Sequence, residues 1–239
     1  MSLIKLLLFG VKEFFFPTVC ALCGGSLIGA GETRYGLCEQ CRAEVTPQGL
    51  GGRCNLCGKP LISEREICLS CRNGKEKIYD RLWVLFPYTG KYRKLLTAYK
   101  FGKNLALAEF FKEKVLEIIA ANPVLKETVI VPVPPRPGKM KETGWDQVDF
   151  LVKRLEKNEK GRIPVCRCMK RRKSKVQKRL SRAERMENLK GRIYVYGTVP
   201  ETVLVIDDVI TTGSTLEVCS AALKAGGAEK VYGLCLFYD

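Results

Sequence analysis

A chain of 239 residues with 46% apolar side chains has room for one α/β domain of ordinary size plus a smaller unit. Its 41 Lys and Arg exceed its 25 Asp and Glu, and the net charge of +16 both attracts polyanions at long range and favours solubility. There is no histidine, which excludes imidazole as a general base and as a metal ligand, so any metal must be held by thiolates or carboxylates.

The first stretch, Met1 to Pro17, is apolar, but its block from Leu3 to Phe9 is shorter than a membrane span and no small-residue cleavage site follows. Leu3, Leu6, Leu7, Gly10 and Phe14 share one helical face. The reading is a short amphipathic helix docked on its own protein, with a peripheral membrane contact as the alternative, and a cytoplasmic chain without an export signal.

Eight of the twelve cysteines then form four C-x-x-C pairs: Cys20/Cys23, Cys38/Cys41, Cys54/Cys57 and Cys68/Cys71. The spacers are fourteen residues in the first couple and ten in the second, with glycines after Cys23 and Cys57. Two residues between cysteines let one turn aim both sulfurs at one ion, so the layout predicts two four-cysteine zinc ribbons, structural because four thiolates close the shell. Neighbouring pairs are expected to share an ion; an interleaved pairing of the first with the third is the alternative. A region this small buries little core, so its folding should depend on metal. The surrounding Arg34, Arg42, Arg53, Lys59, Arg65, Arg72, Lys75 and Lys77 either make a contact surface for nucleic acid or protein, or offset the thiolates.

After Lys77 the composition turns aromatic and aliphatic, which puts the expected boundary before Ile78, with units 1–77 and 78–239. Leu82 to Tyr88 reads as a strand, Thr89 to Lys100 as a basic helix and Leu105 to Ala120 as an amphipathic one. Lys91, Arg93, Lys94, Lys100 and Lys103 either line the mouth of a cleft or form a solvated face, and the solvated face is the preferred reading. A buried strand at Thr128 to Val133 leads into a proline-stiffened loop, Pro134 to Gly144, offering Arg136, Lys139 and Lys141 as cations. Arg167 to Arg192 holds twelve Lys and Arg against Glu184 and Glu187. Such a run is a solvated face, a nucleic-acid arm or a mobile loop over an anionic ligand. Cys166, Cys168, Cys219 and Cys235 lack the paired spacing and read as ordinary thiols.

The most informative stretch is Val203 to Thr215, VLVIDDVITTGST. Val203 to Ile206 reads as a strand buried on both faces, and Asp207 and Asp208 stand where the apolar run stops. Ligands of open α/β sheets lie outside the carboxyl ends of strands. Thr211, Thr212, Gly213, Ser214 and Thr215 then open a helix with Ser214 as N-cap, a turn whose backbone N–H groups can converge on an anion. Two carboxylates beside one phosphate cradle suit a sugar phosphate, the acids taking vicinal hydroxyls. The Pro134–Gly144 loop, at an equivalent strand end, should face the same crevice. A helix, a Gly226-Gly227 stop and a last strand, Lys230 to Phe237, close the chain.

VLVIDDVITTGST resembles the phosphoribosyl pyrophosphate signature of type I phosphoribosyltransferases. The resemblance implies a type I phosphoribosyltransferase-like parallel sheet flanked by helices, preceded by a small four-cysteine zinc-ribbon region. It implies that Asp207 and Asp208 bind the ribose hydroxyls, that Thr211 to Thr215 bind the 5′-phosphate, and that Arg136 and Gly138 in the first loop hold pyrophosphate.

The order of double C-x-x-C region, PVP loop, GWDQ at Gly144 to Gln147, Q-x-x-L at Gln177 to Leu180 with Arg185 and Asn188, and the DDVITTGST run is similar to the ComF family of competence-associated proteins. Thr143 and Asp146 depart from that family's usual arginine and asparagine, whereas Gln147 matches. The basic run falls where the transferases carry a loop that closes over pyrophosphate. The resemblance implies pyrophosphate contacts for Gln177 and Arg185, with Arg179 and Arg182 beside them. It implies a cytoplasmic phosphoribosyltransferase acting in DNA uptake and natural transformation, with two structural Zn²⁺ ions and with Mg²⁺ accompanying phosphoribosyl pyrophosphate. Single-stranded DNA and competence or recombination proteins are the implied partners. The alternative is a zinc-ribbon module that binds single-stranded DNA or a partner and keeps the pocket as a ligand sensor.

Overall fold

The structure, a computed structural model, describes residues 18–46, 52–74, 76–158, 163–172 and 191–239. The expected N-terminal helix and the centre of the basic run, with Gln177, Arg179, Arg182, Arg185 and Asn188, lie outside the described residues.

The frame is a parallel sheet of four strands in the order β1-β6-β5-β2, with β1 at Arg81–Pro87, β2 at Val129–Pro132, β5 at Thr202–Ile210 and β6 at Lys230–Tyr238. Val203, Leu204, Val205 and Ile206 are all fully buried, which is what four consecutive apolar residues require of a strand covered on both faces. One face carries α4 (Gly90–Lys100), α5 (Leu107–Ala121) and α7 (Gln147–Glu156). There Phe86 sits between Phe237 and Phe110, at ring-centre distances of 5.3 and 5.9 Å, in the largest apolar cluster. Each such ring withdraws enough apolar area to contribute about 2–3 kcal/mol. The opposite face carries α8 (Ser214–Ala225), whose Leu216, Cys219 and Leu223 pack on Val203, Val205 and Val231. A separate two-stranded antiparallel ribbon, β3 (Met169–Arg171) with β4 (Ile193–Val195), packs against α8 on this side. The basic run therefore leaves and returns through the β3–β4 stem.

Three expectations need correction. β5 does not stop at Ile206 but runs through the acid pair to Ile210, because β6 continues alongside and pairs Asp207 with Cys235 and Ile210 with Tyr238. Only the neighbour on the other side, β2, ends earlier, at Pro132 opposite Ile206. The proline-rich loop is not all loop: Lys139–Thr143 forms a short helix, α6. The N-cap of α8 is Gly213 rather than Ser214, with the glycine in the left-handed region at φ 77°. A fourth feature, α7, escaped the sequence reading, although its start is well marked: the Asp146 carboxylate accepts from the amides of Val148 and Asp149 at 3.0 and 2.9 Å.

The two cysteine-rich units dock differently. The first, with α1 (Ala30–Tyr35) and α2 (Glu39–Val45), contributes fully buried Leu37 and Val45 to the main core, and Tyr35 donates to Glu113 on α5 at 2.6 Å. The second, with the one-turn α3 (Leu69–Arg72), meets the leading edge of β1, where the Leu82 amide donates to the carbonyl of Asn55 at 2.7 Å. Among the described residues no helix is long and apolar enough to cross a membrane.

Candidate functional site

Each cysteine unit is built on the same knuckle. Cys20 donates its amide to Gly25 and accepts from Gly24, and Cys54 does the same with Lys59 and Gly58, at 2.8 to 3.0 Å throughout. Gly24 and Gly58 sit at φ 75° and 73°, which explains a glycine directly after the second cysteine of each knuckle. The result brings Cys20, Cys23, Cys38 and Cys41 together, and Cys54, Cys57, Cys68 and Cys71 together, each set of sulfurs within 4.8 Å of one another. Neighbouring pairs thus share a cluster and the interleaved arrangement does not form. A tetrahedral zinc with bonds near 2.3 Å separates its sulfurs by about 3.8 Å. Cys23 and Cys38 stand at 3.8 Å and Cys57 and Cys68 at 3.7 Å. Burial works against charge on Cys20 and Cys54, but backbone N–H donors outweigh it and bring both thiols down to about 7. Both clusters therefore fit structural zinc, with four thiolates closing each shell and leaving no position for an activated water.

The second site forms where β2 leaves the sheet. Successive residues of a strand point to opposite faces, and Asp207 and Asp208 accordingly part company. Asp208, buried, faces α4 and α7, where its Oδ2 accepts from Lys100 Nζ at 2.5 Å and from Gln147 Nε2 at 2.6 Å. Burial opposes its charge, but the Lys100 ammonium and the Gln147 amide outweigh that and hold its carboxyl below the usual range. Asp207 faces α8 and the β3–β4 stem. Burial there, with the Asp208 charge beside it, pushes its carboxyl well above the usual range. The two carboxyls of the pair are thus shifted in opposite directions.

Gln147 continues the wiring: its Oε1 accepts from Lys139, whose ammonium also meets Asp146 Oδ2 at 2.6 Å. The proline-rich loop, the GWDQ segment and the acid pair are therefore one hydrogen-bonded unit. Of the five cations from Lys91 to Lys103, Lys91, Arg93, Lys94 and Lys103 are exposed, in line with a solvated face; Lys100 alone departs from it, because its ammonium meets a buried acid. The loop Thr211–Thr215 follows β5 directly. Thr212 and Ser214 share a hydrogen bond of 2.8 Å across Gly213, while Thr211 is exposed.

Arg136 and Gly138 have a different environment. Arg136 makes a bidentate ion pair with Glu142, both side chains being about half exposed. Gly138, at φ 89°, starts α6, and a Cβ there would lie 3.1 Å from Glu142 Oε1. Sequence reasoning missed Arg171 and Arg192 as individuals, although both lay in the basic run. Burial lowers the Arg171 guanidinium, which lies within electrostatic reach of Asp207, Arg192 and Arg136. The buried Nη1 of Arg192 has no hydrogen-bond partner among the described residues. Nothing in the sequence separates these two arginines from their ten basic neighbours; only the position of the stem does.

The fold and the two cysteine clusters define an α/β protein with an N-terminal double zinc ribbon, and the family described as a double zinc ribbon domain matches residues 11–72. The chain is similar over most of its length to proteins of the ComF family. It is 28% identical over 227 residues to competence protein F of Haemophilus influenzae, covering 91% of this chain and 95% of that one. Competence protein ComFC of Streptococcus pneumoniae is 26% identical over 224 residues, covering 89% and 96%. DNA utilization protein YhgH of Escherichia coli is 27% identical over 226 residues, covering 92% and 96%.

Proposed function

We propose that this chain binds phosphoribosyl pyrophosphate as its magnesium complex and transfers the phosphoribosyl group in the service of DNA uptake and natural transformation. The observation that carries the ligand is the acid pair on β5, with Asp208 held by Lys100 and Gln147, followed directly by the Gly213 turn that opens α8. A carboxylate accepts hydrogen bonds from hydroxyls and a carboxylic acid can also donate one, so Asp207 and Asp208 suit two vicinal ribose hydroxyls. The amides of Thr211 to Thr215, at the start of a twelve-residue helix, suit the 5′-phosphate.

In the transfer, the bond from C1′ to pyrophosphate breaks and pyrophosphate leaves with the electron pair, while the acceptor forms the new bond to C1′. Arg171, Arg192 and Arg136, with Gln177 and Arg185 of the basic run, would take the charge that builds on the leaving group. Arg171 and Arg192, at the base of the β3–β4 stem, are cations already placed near Asp207 and need little reorganisation at the moment of reaction, which is where their catalytic contribution would lie. The biological role is supported by the likeness to proteins named for competence and DNA utilization. Single-stranded DNA and competence or recombination proteins are the partners that role entails, and the cytoplasm is the compartment in which phosphoribosyl pyrophosphate is met.

Calorimetric titration with phosphoribosyl pyrophosphate and Mg²⁺ tests the reading. Binding is expected in the wild type and its loss in the Asp207→Asn, Asp208→Asn double variant, together with loss of transformation in cells. Transformation that survives the double variant unchanged would sink the transferase reading and leave the binding module. Screening bases and amines for pyrophosphate release then identifies the acceptor.

A further inference from the structure

The two zinc units share a knuckle but not a neighbourhood. The first is joined to the helical layer through Leu37, Val45 and the Tyr35–Glu113 bond, on the face of the sheet away from α8. The second is joined to the phosphate loop. Its knuckle carbonyl at Leu56 accepts from the hydroxyl of Tyr79, a side chain only 2% exposed, and that same hydroxyl lies 3.8 Å from where a Cβ on Gly213 would stand. Next to Tyr79 the chain grips the first turn of α8: Lys77 Nζ stands 2.9 Å from Glu217 Oε1, and the Ile78 amide donates to Glu217 Oε2 at 3.2 Å. Between ribbon and loop is a cleft of about 750 Å³, with Cys57, Cys68 and Lys59 on one side and Thr211, Thr212 and Gly213 on the other.

We propose that the second zinc ribbon is a wall of the phosphate subsite, and that Tyr79 is the positioning residue through which the second metal cluster holds the Gly213 turn in shape. A turn made of small residues, with a glycine at positive φ, has little packing of its own to hold its amides convergent. Its support must come from neighbours. Besides Ile210 of the same strand, these include one phenol hydroxyl anchored on the metal knuckle and one carboxylate gripped by Lys77 and Ile78, in the segment that joins the ribbon to β1. The knuckle's position is in turn set by the Cys54 and Cys57 sulfurs, two of the four that hold the ion. Loss of the second metal should therefore loosen residues 211–216, and loss of the first should not. The ligand assignment of this loop rests on the function proposed above; the contacts do not.

Tyr79→Phe removes the hydroxyl and keeps the ring. Hydrogen exchange of peptides covering 211–216, zinc content, and affinity for ribose 5-phosphate are measured on the full-length variant and on the wild type. Exchange at least about tenfold faster over 211–216, with two zinc ions per chain retained, is the expected result. Exchange equal to wild type with both zincs bound overturns the proposal. A companion pair, Cys71→Ser and Cys41→Ser, should separate in the same readout, the former raising exchange at 211–216 and the latter leaving it unchanged; equal effects also overturn it. Where the wild type fails to bind ribose 5-phosphate while exchange responds as expected, it is the ligand assignment that fails and the coupling that stands.

Discussion

Lys100, the last residue of α4, stands 2.5 Å from the carboxylate of Asp208, the second acid of β5, across 108 residues of sequence. Asp208 would otherwise be a buried charge held by two amides, the side chain of Gln147 and the backbone N–H of Val209. Lys100→Met is expected to destabilise the protein by about 2 kcal/mol, less than for a fully buried pair because the lysine keeps some solvent contact. Asp208→Asn added to it should recover part of that loss, since no unpaired charge then remains. Urea unfolding of the two single variants and the double variant gives the coupling energy, and a value near zero would remove Lys100 from the site.

Asp207 carries the opposite prediction. Its folded carboxyl titrates above the ordinary value of 3.8, so the unfolded chain gives up that proton first. At pH above the folded value the ionised acid is a cost to the native state, and the cost disappears as pH falls through the folded value towards 3.8. Asp207→Asn should therefore raise the melting temperature at neutral and alkaline pH, with the gain shrinking on acidification. Asp208, held below 3.8, behaves in reverse: its stabilisation is present above that value and is lost as pH falls through its folded value. Melting curves of the Asn variants from pH 2 to pH 8 would show the two trends, and parallel curves would contradict the split.

Arg136 and Lys139 lie three residues apart and should respond differently. The Arg136–Glu142 pair is exposed and contributes only about 0–1 kcal/mol, so Arg136→Ala should leave stability nearly unchanged. If Arg136 turns to the leaving pyrophosphate, affinity for phosphoribosyl pyrophosphate should fall about tenfold in the same variant. Lys139→Met removes the cation shared by Asp146 and Gln147 and should cost about 2 kcal/mol before any ligand is added. Chemical denaturation and calorimetry on both variants separate support from contact.

The two knuckle glycines give a matched test of docking. Gly24→Ala meets open space and only the left-handed backbone, for a cost of about 1–2 kcal/mol. Gly58→Ala meets the same backbone strain plus Val84 of the β1 strand itself, whose Cγ2 the added Cβ would overlap. Its cost should exceed that of Gly24→Ala by about a further 1–3 kcal/mol. Thermal melts with zinc analysis would read the difference, and equal losses would mean that the second ribbon does not rest on β1 as closely as this.

Elements with a strong local signature were legible from the sequence. The four C-x-x-C pairs and their glycines specify two metal clusters because a knuckle is a local turn, and neighbours in sequence are the neighbours that share an ion. Val203–Ile206 announced a strand covered on both faces, but not that β5 runs on through the acid pair to Ile210 beside β6. The helix Gln147–Glu156 is equally readable in principle, since Asp146 is an N-cap immediately ahead of an apolar spacing.

What tertiary structure alone decided is which charges meet. Local sequence makes Lys100 a basic residue at a helix end, and its partner is chosen only when α4 is laid against the face of the sheet on which Asp208 points. Likewise Arg171 and Arg192 stand out from the basic run only because β3 and β4 pair beside Asp207, and the second ribbon differs from the first only through what it rests on. Local backbone preferences act over a few residues and are written in spacing and residue type. Electrostatic and packing partners are set by how whole elements pack, across separations of about a hundred residues, and a single sequence has no local pattern that records them.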